Sequence, residues 1–297
     1  MGIDRADDGD APDRGPARRA DPGADAAPLL DPAERSAEHT RYRGNVEQTY
    51  PVARDAWAEA LPGLHSAWEE HVEKYPERTR LAPRTQPDGS WVADGGRKLT
   101  PEQNADVDRG VARIREVGKN VIVPGMRAVE AEDATRCLAG FERRFKDEDR
   151  LKEKVTERMR SKGRTPLEAL AGIPDAVRFT LQYGESTYTA AVQKDIERLQ
   201  ARGFTQVERR NTWTDDQYKG INSRWREPES DTIFEVQFHT RASLEAKELT
   251  HKAYERIRSS AQDEELAELK EFQRRVNSMI PIPPDVADIE DYPPGET

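Results

Sequence analysis

Apolar residues recur every three to four positions through much of the first half of the chain and tend toward every second position later, which predicts helices first and strands afterwards. In RDAWAEALPGLHSAWEEHVEKY, Trp57, Leu61, Leu64 and Trp68 share one helical face and are expected in a core, with a break at Pro62-Gly63. RTQPDGSWVADGG reads as a loop or short hairpin from its turn residues. Thr100, Pro101 and Gln103 supply an N-cap, a first-turn proline and a capping-box partner, so a helix should start there; Thr165, Pro166 and Glu168 repeat the signal for a short helix stopped at Gly172. Between them, helical text runs from about 131 to 161 and carries Cys137. Strands follow in AVRFTLQY and FTQVERRNTW, with a helix closed by Gly203 between them, and INSRWREPESDTIFEVQFHT reads as a hairpin turning at 228–231. Helical text resumes from about 244 to 279. The order is that of an α+β fold: a mostly antiparallel or mixed sheet flanked by helices and preceded by a helical N-terminal region. Four segments are expected: a disordered tail over 1–32, helices over 33–135, the α+β domain over 136–280, and a Pro-rich tail over 281–297 with no fold of its own.

Composition sharpens the first boundary. Of the 297 residues only 35% are hydrophobic and another 35% are charged, and the first 32 are rich in Asp, Pro, Gly, Ala and Arg without an aromatic, a composition that buries too little to fold. That stretch lacks the apolar run of a secretory signal, and no run of 18 apolar residues occurs anywhere. The expectation is a soluble cytoplasmic protein with no membrane partner, export without such a signal staying open. Cys137 is the single cysteine, which excludes an internal disulfide and a cysteine-based zinc site. The net charge of -10 opposes indiscriminate binding to nucleic acid or acidic membranes, but leaves room for a local basic site.

The chemistry gathers in a few places. In FEVQFHT, Phe234, Val236 and Phe238 fall on one strand face and Glu235, Gln237 and His239 on the other, about 6.7 Å apart. The polar face is either simply wet or the floor of a site. In FERRFKDEDRLKEKVTERMR, Lys146, Arg150, Lys154 and Arg158 step by four along one helical face. A solvated charged helix usually alternates sign, and like charges at that spacing repel by a few tenths of a kcal/mol per pair, so the stripe reads slightly better as a polyphosphate site. Asp175, at the entry of the AVRFTLQY strand, is a turn residue or the second carboxylate, with Glu235, of a magnesium site. Tyr218 is a sheet-edge aromatic or a ring on which a base stacks. Glu245, Glu248, His251 and Tyr254 step by three along one helix, but no second histidine stands at zinc spacing, so they read as support for neighbouring groups.

Taken in order, RFKDEDRLKEK, PDAVRF, the Tyr218 strand, FEVQFHT and the following E..E..TH..Y helix resemble the RelA/SpoT-like nucleotide pyrophosphokinase domain over about 140–258. The resemblance implies a nucleotidyltransferase-like synthetase fold and transfer of the β,γ-pyrophosphate of ATP to the 3′-hydroxyl of a second nucleotide with Mg2+. It implies Arg144 on the adenine side of ATP, Lys146, Arg150, Lys154 and Arg178 with ATP, Asp175 and Glu235 on the metal, Glu235 and Gln237 at the reacting centre, and Tyr218, Asn222 and His239 toward the acceptor. Three features depart from the pattern. Gly220 and Asn222 stand where guanosine-dependent members show Tyr-x-Ser-x-His, the spacing in PDAVR is short, and no His-Asp dipeptide marks a hydrolase domain. The chain is thus more similar to the toxin-type or adenosine-nucleotide branch. AMP, ADP or ATP leads as acceptor, with GDP, GTP and the 3′ end of tRNA as alternatives, an immunity or antitoxin protein as a conceivable partner, and a binding module without turnover as the non-enzyme alternative.

Overall fold

A computed structural model of the chain describes residues 54–76, 80–259 and 263–293. The segment 1–32, expected to be disordered, lies outside the described residues, as does 33–53.

Helix α1 (Arg54–Lys74) runs straight through Pro62, where the pattern predicted a break. A proline inside a helix costs about 3 kcal/mol. Here Trp57 and Leu64, one on either side of it, are both buried in the main core, and their burial holds the two halves in one helix. The PDGS turn does form a hairpin, pairing β1 (Arg84–Thr85) with β2 (Trp91–Ala93), and β3 (Arg97–Leu99) completes a small antiparallel sheet. Helix α2 (Pro101–Val117) begins at the expected capping box, with Thr100 and Gln103 each bonding the other's backbone. It continues through one wide turn into α3 (Val123–Ala131).

The stretch predicted as one helix from 131 to 161 divides. Cys137 lies in β4 (Cys137–Ala139), a buried strand too short to show an alternating pattern, and the helix α4 begins only at Glu148 (Glu148–Lys162). Asp147 caps α4 by accepting from the Arg150 amide at 3.1 Å, which leaves residues 144–146 outside the helix, with Phe145 bridged to Val177. They run beside the entry to β5 (Arg178–Tyr183): the Arg178 amide donates to the Arg144 carbonyl at 2.8 Å and the Lys146 amide to the Ala176 carbonyl at 3.1 Å. Lys146 is therefore not part of a four-cation helical stripe. The second capping box opens α5 (Pro166–Ala171) as expected.

The remaining elements are α6 (Tyr188–Ala201), β6 (Thr205–Asn211), β7 (Ile221–Glu227), β8 (Thr232–Thr240), α7 (Arg241–Ser259) and α8 (Asp263–Ser278). The larger sheet has the order β4-β5-β8-β7-β6, with β5 and β8 parallel and the other neighbours antiparallel. Phe179 and Leu181 of β5 and Phe234, Val236 and Phe238 of β8 enter a core that also takes Met126 and Val129 of α3 and Val192, Ile196 and Leu199 of α6. A second cluster joins Trp91, Leu99, Val107 and Val111 to Leu151, Val155, Leu170 and Ile173. Trp91 also donates to Asp149 at 2.7 Å, so the hairpin and α2 buttress α4 from outside. Packing thus runs across the expected boundary at 135/136.

The Pro-rich end is docked rather than loose. Val286 and Ile289 are buried, and Arg209 and Tyr292 exchange backbone hydrogen bonds of 2.7 and 2.9 Å that cover the outer edge of β6.

Candidate active site

Registers decide which side chains share a face. Arg178, Thr180 and Gln182 of β5 lie beside Glu235, Gln237 and His239 of β8, and Asn222 and Arg224 of β7 lie opposite Gln237 and Glu235. This face is polar on three adjacent strands, yet it is not wet: Glu235 is 4% exposed and Gln237 and His239 are 0% exposed. What covers it is α7, which begins without a loop at the end of β8. Thr240 and Ser243 cap each other, Thr240 Oγ1 accepting from the Ser243 amide at 3.2 Å and Ser243 Oγ from the Thr240 amide at 3.0 Å. One turn further along the same helix side, Lys247 donates to Gln237 Oε1 at 2.5 Å.

At the β5 entrance, Asp175 is buried and clamped by cations. Lys154 Nζ donates to both carboxylate oxygens, at 2.6 and 2.5 Å, and Lys146 Nζ stands 3.2 Å away. Burial alone would push this carboxyl up, but the Lys146 and Lys154 ammonium groups outweigh it and hold the pKa far below the usual carboxylate range. The Glu235 amide donates to the Val177 carbonyl at 2.9 Å, which brings the second carboxylate near the first. Glu235 shifts the other way: burial and then the Asp175 charge push its carboxyl up. The Gln237 side-chain nitrogen donates to its Oε1. Two acids of opposite bias therefore stand side by side, one firmly ionised and the other drawn toward its neutral form.

The other expected residues spread around this pair. Arg150 is on α4 and donates to Glu153 at 3.3 Å. Arg144 lies over the Phe141 ring, 4.2 Å from its centroid. Arg178 lines a cleft of about 470 Å³, together with Gly140, Phe141, Arg143, Thr180 and Lys247. Arg158, one turn along α4 from Lys154, sits near Gly172. Tyr218, expected as a stacking platform, is buried: its hydroxyl lies 2.9 Å from His239 Nε2 and donates to Asn222 Oδ1 at 3.0 Å, and its ring meets His239 edge-on. His239 also meets Ser243 Oγ at 2.9 Å, and burial followed by the Lys247 and Arg178 charges holds its pKa well below the ordinary histidine value. It is a neutral ring at neutral pH. Gly220 fits against it so closely that an added Cβ would stand 2.7 Å from Cε1.

Glu245 and Glu248, expected to support neighbouring groups, bond Trp57 Nε1 at 2.6 Å and Arg143 at 3.2 Å. Sequence reasoning missed Lys247 and Arg143. Tracking the three-residue row from Glu245 to Tyr254 passed over the i to i+4 spacing of Ser243 and Lys247, which was the available signal.

Hard oxygen donors suit magnesium, which is commonly held by one or two carboxylates with phosphates and waters completing its shell. Asp175 and Glu235 are such a pair, and the upward push on Glu235 is one that a divalent cation beside it would relieve. The residues therefore fit the ion.

No protein-family model matches this sequence, and no curated protein does. Among solved structures the chain is similar to the small alarmone synthetase 1 from Bacillus subtilis, at 15% identity and a TM-score of 0.43, covering 59% of this chain and 92% of that one. It is similar to the same kind of protein bound to its product pppGpp, at 15% identity and a TM-score of 0.43, covering 59% and 93%. A GTP pyrophosphokinase family protein from Streptococcus pneumoniae follows at 14% identity and a TM-score of 0.41, covering 61% and 90%. No helix among the described residues is long and apolar enough to cross a membrane.

Proposed function

We propose that the chain is an ATP-dependent 3′-pyrophosphokinase of the RelA/SpoT-like kind that takes an adenosine nucleotide as acceptor. The observation that carries this reading is the buried Asp175 and Glu235 pair, of opposite acid bias, set among Lys146, Lys154 and Arg178, the last of which also lines the neighbouring cleft with Arg143 and Lys247. In the reaction the acceptor 3′-oxygen bonds to the β-phosphorus of ATP, the bond from that phosphorus to the α,β-bridging oxygen breaks, AMP leaves, and the hydroxyl proton is released. Such a transfer asks chiefly for alignment and for neutralisation of phosphoryl charge. Lys146, Lys154, Arg150 and Arg178 supply cations for the phosphates, with Arg144 on the adenine side. Glu235, pushed toward its neutral form by burial, is the group suited to accept the hydroxyl proton. Asp175 and Glu235 would hold magnesium, which when bound neutralises charge on the transferring phosphates.

The acceptor side rests on Tyr218, Asn222 and His239. Gly220 stands where guanosine-dependent members carry serine, and the 2.7 Å approach to His239 leaves no room for that side chain. This supports an acceptor other than GDP or GTP, giving a (p)ppApp-type product. Tyr218 must swing out of its present contacts to stack on a base, so acceptor binding exchanges its two hydrogen bonds for stacking. Transfer of this kind consumes ATP, which fits a toxin held in check by an immunity protein.

The test is incubation of purified protein with Mg2+ and ATP labelled at the β or γ position, offered AMP, ADP, ATP, GDP, GTP or bulk tRNA separately. Both labels moving together onto an adenosine nucleotide is the expected result. Transfer to GDP, GTP or tRNA overturns the acceptor assignment, and intact ATP with every acceptor overturns the activity.

A further inference from the structure

Among the buried cations, Lys247 has the poorest company. Lys146 faces Asp175, Lys152 faces Asp108 and Glu148, Arg136 faces Asp195, and Lys219 caps two backbone carbonyls. Among the described residues, Lys247, 7% exposed, donates a hydrogen bond to the Gln237 carboxamide oxygen at 2.5 Å and forms no ion pair. A buried ammonium whose nearby carboxylates, Glu235 and Glu248, act on it only at a distance destabilises a fold that an apolar side chain of similar length would not. Burial, with the Arg178 charge adding to it, accordingly lowers the Lys247 pKa to about 7.

The geometry shows what this lysine does. A carboxamide buried between two groups can present either end to each. An ammonium only donates, so it selects the oxygen of Gln237, and the NH2 group must then face the other way. There it donates to Glu235 Oε1. The chain of bonds runs in one direction, from Lys247 through Gln237 to Glu235. Without the lysine nothing holds the Gln237 oxygen, and the carboxamide can tilt and carry its hydrogen bond to Glu235 out of place.

We propose that Lys247 is a positioning residue: it fixes the Gln237 carboxamide, which in turn holds the Glu235 carboxylate in the single orientation used for transfer. The proposal rests on the pyrophosphokinase reading for its kinetic consequence, although its structural half stands without it.

Four variants test it: Lys247→Met, Lys247→Arg, Gln237→Leu and the Lys247→Met/Gln237→Leu double. The expected kcat of Lys247→Met is about 10- to 100-fold lower, the scale of a misplaced reacting group, with KM for ATP within about twofold of wild type. Lys247→Arg, still a pure donor, restores part of the loss. In the Gln237→Leu background Lys247→Met adds less than about twofold, because the relay is already cut. A raised KM with kcat unchanged, or effects that multiply in the double variant, overturns the proposal in favour of direct contact with a substrate phosphate. A second measurement needs no turnover. The Gln237 side-chain amide signals, identified in a 15N spectrum by their loss in Gln237→Leu, are expected to be strongly inequivalent in wild type and to converge in Lys247→Met. Unchanged amide signals overturn the relay even where transfer is seen. If the wild type transfers no label, the pyrophosphokinase reading falls, and Lys247 is judged on the amide signals.

Discussion

Replacing Gly220 by alanine adds one methyl group against the buried His239 ring. Its Cβ would stand 2.7 Å from His239 Cε1, 3.0 Å from Nδ1 and 3.3 Å from Nε2. Real carbon contacts do not close to that distance, so either the loop or the ring must move. The ring is 0% exposed and pinned at both nitrogens, 2.9 Å from Ser243 Oγ and 2.9 Å from the Tyr218 hydroxyl. Overpacking of this kind costs about 1–3 kcal/mol. Displacing the ring also weakens two hydrogen bonds worth about 0.5–1.5 kcal/mol each. Since relaxation trades one cost against the other, the expected loss is about 2–4 kcal/mol, or about 5–15 °C in Tm for a folded region of this size. Urea unfolding measures it, followed in parallel by circular dichroism and by tryptophan fluorescence. His239→Ala removes the clashing ring, so the Gly220→Ala/His239→Ala double variant is expected to be more stable than the sum of its singles by about 1–2 kcal/mol. The reasoning fails if Gly220→Ala unfolds within about 0.5 kcal/mol of wild type, or if the two substitutions are additive.

Other consequences follow from the carboxylates. Asp175→Asn leaves Lys146 and Lys154 buried near a group that no longer balances them, and is expected to cost about 3–5 kcal/mol in urea unfolding; a loss under about 1 kcal/mol would show the clamp to be dispensable. Because the folded-state pKa of Asp175 is depressed, its contribution is present above the unfolded value of about 3.9 and is lost as pH falls below it. Wild type should therefore keep its advantage over Asp175→Asn from pH 6 to about pH 4 and begin to lose it by pH 3, whereas a constant difference would contradict the assignment. Glu235 has the opposite sign. Its raised pKa favours the fold at low pH, and that contribution is lost as pH rises, so at pH 7 its charge destabilises. Glu235→Gln is accordingly expected to abolish transfer with a Tm equal to or above that of wild type, and retained transfer would remove Glu235 from the reacting centre.

Several features were legible in the sequence because their causes are local. The capping boxes at Thr100 and Thr165 need only residues three apart, and both form. The alternation of FEVQFHT needs only the strand geometry, and it separates Phe234, Val236 and Phe238 from Glu235, Gln237 and His239 as expected. Asp175 and Glu235 could be paired in advance because Glu235 sits in a recognisable strand and Asp175 just before another, although nothing in a one-dimensional pattern says that one would be held ionised and the other pushed toward neutrality. That difference arises from Lys146 and Lys154 reaching Asp175 across 29 and 21 residues of chain.

Where prediction and structure part, long-range packing is the reason. Pro62 stays inside α1 because both of its flanks are buried in one core. Cys137 belongs to a strand because β5 is there to pair with it, and a three-residue edge leaves no period to read. Lys146 leaves the helical stripe because Asp147 caps α4 and residues 144–146 pair with the entrance of β5. The sequence by itself determined the capped helices, the order of the later strands and the polar face of β8. Whether that face met water or protein was decided only in three dimensions, when α7 folded back over it and carried Lys247 to Gln237. Hydrogen-bond and burial energies depend on what stands opposite a group, and only the tertiary structure supplies that.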